Sequence, residues 1–127
     1  MKLSWIFRCY VDGDGIDVID AWYGSQDDVV QAKFDTRVRF LQQQPRDKWK
    51  RLGFDTYKDG VGYIRMDIGN VQHRVFGCPM GQLEYAWLIA ATKKGKAFSP
   101  RGADETAVER MAEVVAERER SRDCEFE

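Results

Sequence analysis

Apolar and polar positions alternate with a period of two at the start of the chain. Trp5, Phe7, Cys9 and Val11 share one face of an expected strand over 5–11, rich in aromatic and β-branched residues. Asp12-Gly13-Asp14-Gly15 breaks that strand. The period then lengthens to that of a helix: Ile16, Ile19 and Trp22 recur at helical spacing, and Gly24 stands where a C-cap would. Ser25 and Asp28 have the spacing of a capping box. Behind them Val30, Phe34, Val38 and Leu41 predict a longer helix that ends before Pro45, with Asp35 and Arg39 as an i,i+4 ion pair on its other face. Residues 45–60 follow no period and are basic and aromatic, with Arg46, Lys48, Trp49, Lys50, Arg51, Phe54 and Tyr57.

Alternation returns in residues 61–68, where Tyr63 and Arg65 face one way and Ile64, Met66 and Ile68 the other. Gly69-Asn70 is a two-residue loop suited to a tight hairpin, Gly coming first as a type II′ turn requires. A returning strand over 71–77 carries His73 and Arg74 on opposite faces. After a turn expected at Pro79 and Gly81, residues 83–91 are almost continuously apolar, the pattern of a central strand covered on both sides. Lys93-Lys94-Gly95-Lys96 ends that run, and Pro100 and Gly102 precede a last helix expected over about 103–120. Asp104 and Glu105 suit its positive end, and Val108, Met111 and Val115 form its apolar stripe. This order predicts a single α+β domain over 1–127. Its antiparallel sheet would combine the N-terminal strand with a three-stranded meander, carrying two N-terminal helices and a C-terminal helix. An acidic helix and tail begin at about 101.

Composition agrees with a globular chain: of 127 residues 43% are hydrophobic and 32% charged. No run reaches the roughly 20 apolar residues that span a bilayer. Lys2 is followed by a strand-like run and then acidic residues rather than by a signal-peptide layout. Neither a membrane nor a secreted protein is expected, and the odd cysteine count at long spacing (Cys9, Cys78, Cys124) suits unpaired thiols in the cytoplasm. With His73 the single histidine, no metal site is expected.

Charge changes the picture most. The formal net charge of −1 hides a basic centre. Residues 33–100 carry 13 basic and 6 acidic side chains, a net of +7, while 1–32 and 101–127 each come to −4. Several motifs fail on their own terms. Asp12-x-Asp14 lacks the Gly of a calcium loop, since Asp17 stands there, and Gly95-Lys96 lacks the earlier Gly and the following Ser or Thr of a P-loop. What remains is a set of cations attached to the meander. Arg65 and Arg74 flank the Gly69-Asn70 turn, and Lys93, Lys94 and Lys96 follow the next strand. Fixed cations meeting at one sheet region suit a phosphodiester, whose transition state gains negative charge, and His73 or a lysine would then move protons.

The ordered set resembles the RelE/HigB-like toxins, in particular their phage-related HigB-like branch. The residues that carry the likeness are Ile64-Arg65 before a glycine turn, His73-Arg74-Val75-Phe76, the apolar strand ending in Lys93-Lys94-Gly95-Lys96 and Pro100, and a final helix with Ala107 and Arg110. Tyr10 before an Asp-Gly turn, and Trp49 before the meander, extend it over nearly the whole chain. The resemblance implies a toxin of a type II toxin–antitoxin system, an mRNA-cleaving endoribonuclease that needs neither metal nor cofactor and works in some relatives on the ribosome. Its implied partner is an antitoxin, of the helix-turn-helix type. On this likeness Arg65, Lys94, Arg74 and Lys93 take the catalytic positions. Lys96, Lys48, Lys50 and Arg51 are RNA contacts, and His73 is a candidate acid–base group. Relatives often place a tyrosine or histidine near the C-terminal end, where this chain offers Phe98 and Phe126. That departure supports the alternative of a non-catalytic module of the same fold that retains a protein partner.

Overall fold

A computed structural model describes residues 4–125, so Lys2 and Phe126 lie outside the described residues. The elements are β1 (Ile6–Tyr10), α1 (Val18–Gly24), α2 (Asp28–Gln42), a 3-10 helix (Arg46–Leu52), β2 (Phe54–Thr56), β3 (Gly62–Ile68), β4 (Val71–Gly81), β5 (Glu84–Lys94), β6 (Ala97–Ser99), α3 (Ala103–Ala116) and β7 (Ser121–Asp123). The fold is α+β, and among the described residues the sheet has seven strands ordered β2-β3-β4-β5-β1-β7, with β6 also paired to β5.

The sheet is mixed rather than purely antiparallel, because β1 runs parallel to β5. The most apolar strand needs a neighbour on each side, and β1 supplies Phe7 and Cys9 beside Tyr85 and Trp87. The meander β3–β4–β5 is antiparallel as expected. Its first turn has Gly69 at φ 60°, a backbone state that glycine reaches without strain. β4 runs on through Pro79 to Gly81, so the expected turn at those residues is displaced to Gln82-Leu83. A β-bulge at Phe76/Gly77 bends the strand there. Gly77 is required by packing: a Cβ would lie 2.6 Å from the rings of both Trp87 and Tyr85.

Helices cover both faces. α1, α2 and the 3-10 helix bury Ile19, Phe34, Val38, Leu41 and Trp49 against Ile64, Met66, Val75, Tyr85 and Trp87. α3 buries Ala103, Ala107 and Val114 against Phe76, Cys78, Ala86 and Leu88. Each large side chain so enclosed contributes roughly 1.5–3 kcal/mol. The cap of α2 is Asp27, whose carboxylate accepts from the Val30 N–H, and not the expected Ser25–Asp28 box. Ser25 instead closes α1, donating from Oγ to the Trp22 carbonyl at 2.6 Å.

Four corrections concern short or distant pieces. The basic, aromatic stretch 45–60 is ordered as the 3-10 helix plus β2, anchored by fully buried Trp49. β5 continues through Lys94 and turns over Gly95-Lys96 into β6. The last helix stops at Ala116, where Glu117 becomes extended, and the chain returns as β7 beside β1. Buried Arg8 organises that return, donating to Ser121 Oγ (3.1 Å), Asp123 Oδ1 (2.7 Å) and the Ser121 carbonyl (2.7 Å). Cys9 and Cys124, 115 residues apart, form a disulfide there, which corrects the expectation of unpaired thiols. Cys78 is the free thiol among the described residues, and burial pushes its pKa up to about 12. No described helix is long and apolar enough to cross a membrane.

Candidate functional site

Register brings three of the candidate cations together. Arg65 on β3 lies directly opposite Arg74 on β4, and Lys93 on β5 pairs with Gln72, two residues from Arg74. Side chains two apart on a strand share a face, so Arg65, Arg74 and Lys93 all project from the face that α3 packs against. Strand spacing of about 4.8 Å puts the two arginines within one side chain's reach of each other. Like charges directly opposite in a sheet are destabilising. Two carboxylates on the same face offset that repulsion. Arg65 Nη1 meets Asp55 Oδ2 at 2.6 Å, and Arg74 Nη1 meets Asp67 Oδ1 at 3.1 Å.

The three cations differ in freedom. Arg65 keeps 44% of its side chain exposed. Arg74 is only 6% exposed; it also donates to the His73 carbonyl (2.8 Å) and Gln72 Oε1 (3.2 Å), while its buried Nε–H has no partner. Its guanidinium lies 5.5 Å from the centre of the Tyr63 ring. Lys93 is half-buried, with Nζ 5.9 Å from the centre of the Phe98 ring.

The remaining candidates separate from this group. Lys94, one residue past Lys93, belongs to the opposite face, and Lys96 sits in the turn between β5 and β6. Both are exposed and without an ion pair among the described residues. Lys48, Lys50 and Arg51 are exposed on the 3-10 helix, which Trp49 holds over the α2 side of the sheet by donating to the Leu41 carbonyl at 2.9 Å. That helix touches the cationic strands at its end, where the Arg65 N–H donates to the Gly53 carbonyl at 2.7 Å. His73 faces the α2 side between Met66 and Thr92, 6% exposed, with Nδ1 unpartnered. Burial holds its pKa below the usual value, Asp27 and Asp67 pulling it up and Arg74 pushing it down. His73 thus lies on the opposite face of the sheet from Arg65 and Arg74.

Asp55, Asp67 and Gln72, which occupy the arginines, were not singled out by sequence reasoning; the alternation Tyr63, Arg65, Asp67 on one face was the available signal for the last carboxylate. Arg37 on α2 was missed as well. Its pKa is lowered by burial and by nearby Arg65, and it donates to the Leu52 carbonyl at 2.7 Å.

Part of the C-terminal charge is paired away from this cluster. Arg118 pairs with Glu84, Arg120 with Glu113, and Arg122 with Asp17, gathering the C-terminal charges around β1 and β7, across the strand order from β2 and β3. One acid of α3 approaches the cationic side: Asp104 accepts from Tyr57 Oη at 2.8 Å and lies 3.7 Å from Lys58 Nζ. A groove of about 360 Å³ between β1, α2 and the C-terminal strand is lined by Trp5, Phe7, Asp35, Val38, Arg39 and Cys124, and includes none of the candidate cations. Among known proteins no family model, no curated protein and no solved structure matches the chain.

Proposed function

We propose that the chain is a toxin-like endoribonuclease of a type II toxin–antitoxin pair that grips RNA phosphates through Arg65, Arg74 and Lys93. The observation that carries this reading is the placement of two arginines directly opposite each other, with a lysine on the next strand, on one face. Asp55 and Asp67 balance the two arginines in the free protein, and phosphate oxygens can take the place of those carboxylates. The resemblance to RelE/HigB-like toxins, from Ile64-Arg65 through Lys93-Lys94-Gly95-Lys96, supports the same assignment.

In the proposed reaction a ribose 2′-oxygen attacks the adjacent phosphorus. The O2′–P bond forms and the P–O5′ bond breaks, the 2′-hydroxyl proton passes to water, and O5′ takes up a proton. The protein's part is to align the strand and stabilise the charge that gathers on the non-bridging oxygens. Arg65 and Arg74 exchange Asp55 and Asp67 for those oxygens. Lys94 and Lys96, around the β5–β6 turn, hold flanking phosphates. The substrate is mRNA, free or on the ribosome, and the silencing partner is a helix-turn-helix antitoxin.

Induced expression is expected to arrest growth and fragment transcripts, and purified protein to cleave RNA in the presence of a chelator. Normal growth with intact transcripts would contradict the proposal. One observation favours a second reading. Both arginines are already engaged by carboxylates, and the histidine faces away. A non-catalytic module of the same fold would then bind its helix-turn-helix partner, leave RNA intact and produce no growth arrest.

A further inference from the structure

The chain after α3 returns to the sheet as β7, yet little buried surface holds it there. Within residues 117–125 Ser121 is buried, Arg120 and Cys124 are half-buried, and the rest are exposed. The non-covalent attachments are polar. Arg8 bonds Ser121 and Asp123, whose side chain is 76% exposed, and Arg122, 46% exposed, pairs with Asp17. The short β1–β7 ladder is flanked by two further bonds: the Val11 N–H donates to the Arg120 carbonyl (2.8 Å) and the Cys124 N–H to the Phe7 carbonyl (3.0 Å). Part-exposed ion pairs contribute little, so the Cys9–Cys124 bond is the strongest attachment of this tail.

The two sulfurs differ in protection. Cys9 is fully buried, whereas Cys124 is half-buried and lines the groove of about 360 Å³ between β1 and α2. Of the charged residues that line this groove, Asp35 accepts from Tyr23 Oη at 2.8 Å and Asp123 from Arg8 at 2.7 Å. Arg39 is exposed and has no ion pair among the described residues. A free cation there favours the approach of a thiolate, the form of a thiol that attacks a disulfide. Cys78 provides the contrast, being enclosed in the α3-side core.

We infer that Cys9–Cys124 is a thiol–disulfide exchange site, entered at Cys124 through the groove by a dithiol, and that its reduction releases β7 from β1. A thiolate of the dithiol attacks Cys124 Sγ. The mixed disulfide forms, the Cys9–Cys124 bond breaks, and Cys9 leaves as a thiolate that takes up a proton. The second thiol of the reductant then loses its proton and attacks the reductant's own sulfur in the mixed disulfide. Cys124 leaves and is protonated, and the dithiol, having given up two electrons, becomes a cyclic disulfide. With β7 released, β1 changes from an interior strand to an edge whose backbone N–H and C=O groups are open. This inference stands independently of the RNA reading.

The test uses the folded protein without denaturant, dithiothreitol as the dithiol, and iodoacetamide labelling read by peptide mass. Cys124 should become labelled while Cys78 stays unlabelled, since Cys78 is reached only by unfolding the core. Amide exchange at Val11 and Cys124 should rise roughly 10-fold or more on reduction, with Ile64 and Val75 unchanged. Cys124→Ser should show the faster Val11 exchange without any reductant. Arg39→Glu should slow reduction roughly 3-fold or more, because a carboxylate repels the entering thiolate. Labelling of Cys78 together with Cys124, or no labelling until denaturant is added, overturns the exchange site, because the bond then opens only with global unfolding. Unchanged Val11 exchange after reduction overturns the release of β7. Reduction of Arg39→Glu at the parental rate overturns the groove as the route of entry.

Discussion

Arg65 and Arg74 share a register position but differ in what their removal does. The Arg65–Asp55 pair is part-exposed, and such pairs are worth roughly 0–1 kcal/mol. Arg65→Ala should therefore unfold at nearly the parental temperature while losing most RNA binding, as thermal melts and anisotropy would show. Arg74 is buried, and its loss leaves Gln72 and the His73 carbonyl without a donor, so Arg74→Ala should cost about 1–3 kcal/mol in a denaturant titration as well as binding. His73 contributes a different signature. Burial disfavours its charged form, with Asp27, Arg74 and Asp67 as the neighbouring charges, so the unfolded chain takes up the proton more readily. Stability is then present above the ordinary value of 6.5 and declines as pH falls from there towards the lower folded pKa. Denaturant titrations at several pH values should show that decline in the parent, and a smaller one in His73→Leu.

At the scale of elements, the β3–β4 hairpin was plain from its residues. Ile64, Met66 and Ile68 alternate with Tyr63, Arg65 and Asp67, and Gly69 stands where positive φ is needed. That legibility extended to the opposition of Arg65 and Arg74, because a two-residue loop sets the register. It did not extend to β2, β6 and β7, each three residues long, since three residues carry no measurable period. Nor did it reach the Cys9–Cys124 pair: a separation of 115 residues hides that β7 and β1 are neighbours until the tail is seen to leave its helix at Glu117. Lys94 was misplaced for a related reason. Treating Lys93-Lys94-Gly95-Lys96 as the point where the chain leaves the sheet concealed that Lys93 and Lys94 are still in β5 and point to opposite faces. Two outcomes check this level. Alkylation of the unreduced, unfolded chain should label Cys78 alone, and all three cysteines after reduction, read by mass. Gly77→Ala should cost about 1–3 kcal/mol in a denaturant titration, since its methyl group would overlap the Trp87 and Tyr85 rings.

For the whole molecule, the decisive quantity is where charge sits rather than its total of −1. The C-terminal charges are drawn around β1 and β7 by Arg8, Arg118, Arg120 and Arg122, while Arg65 and Arg74 lie beyond β5 on β3 and β4. The acidic helix α3 nevertheless packs on the cationic face, with Asp104 beside Tyr57 and Lys58, so only part of the acidic charge lies away from Arg65 and Arg74. The most direct check is the salt dependence of single-stranded RNA binding. Three phosphate contacts predict that log affinity falls by roughly 2 per log unit of salt, at about 0.7 per contact, and that Arg65→Ala reduces that slope by about 0.7. Affinity independent of salt, or a slope unchanged in Arg65→Ala, would contradict the assignment of this face to RNA.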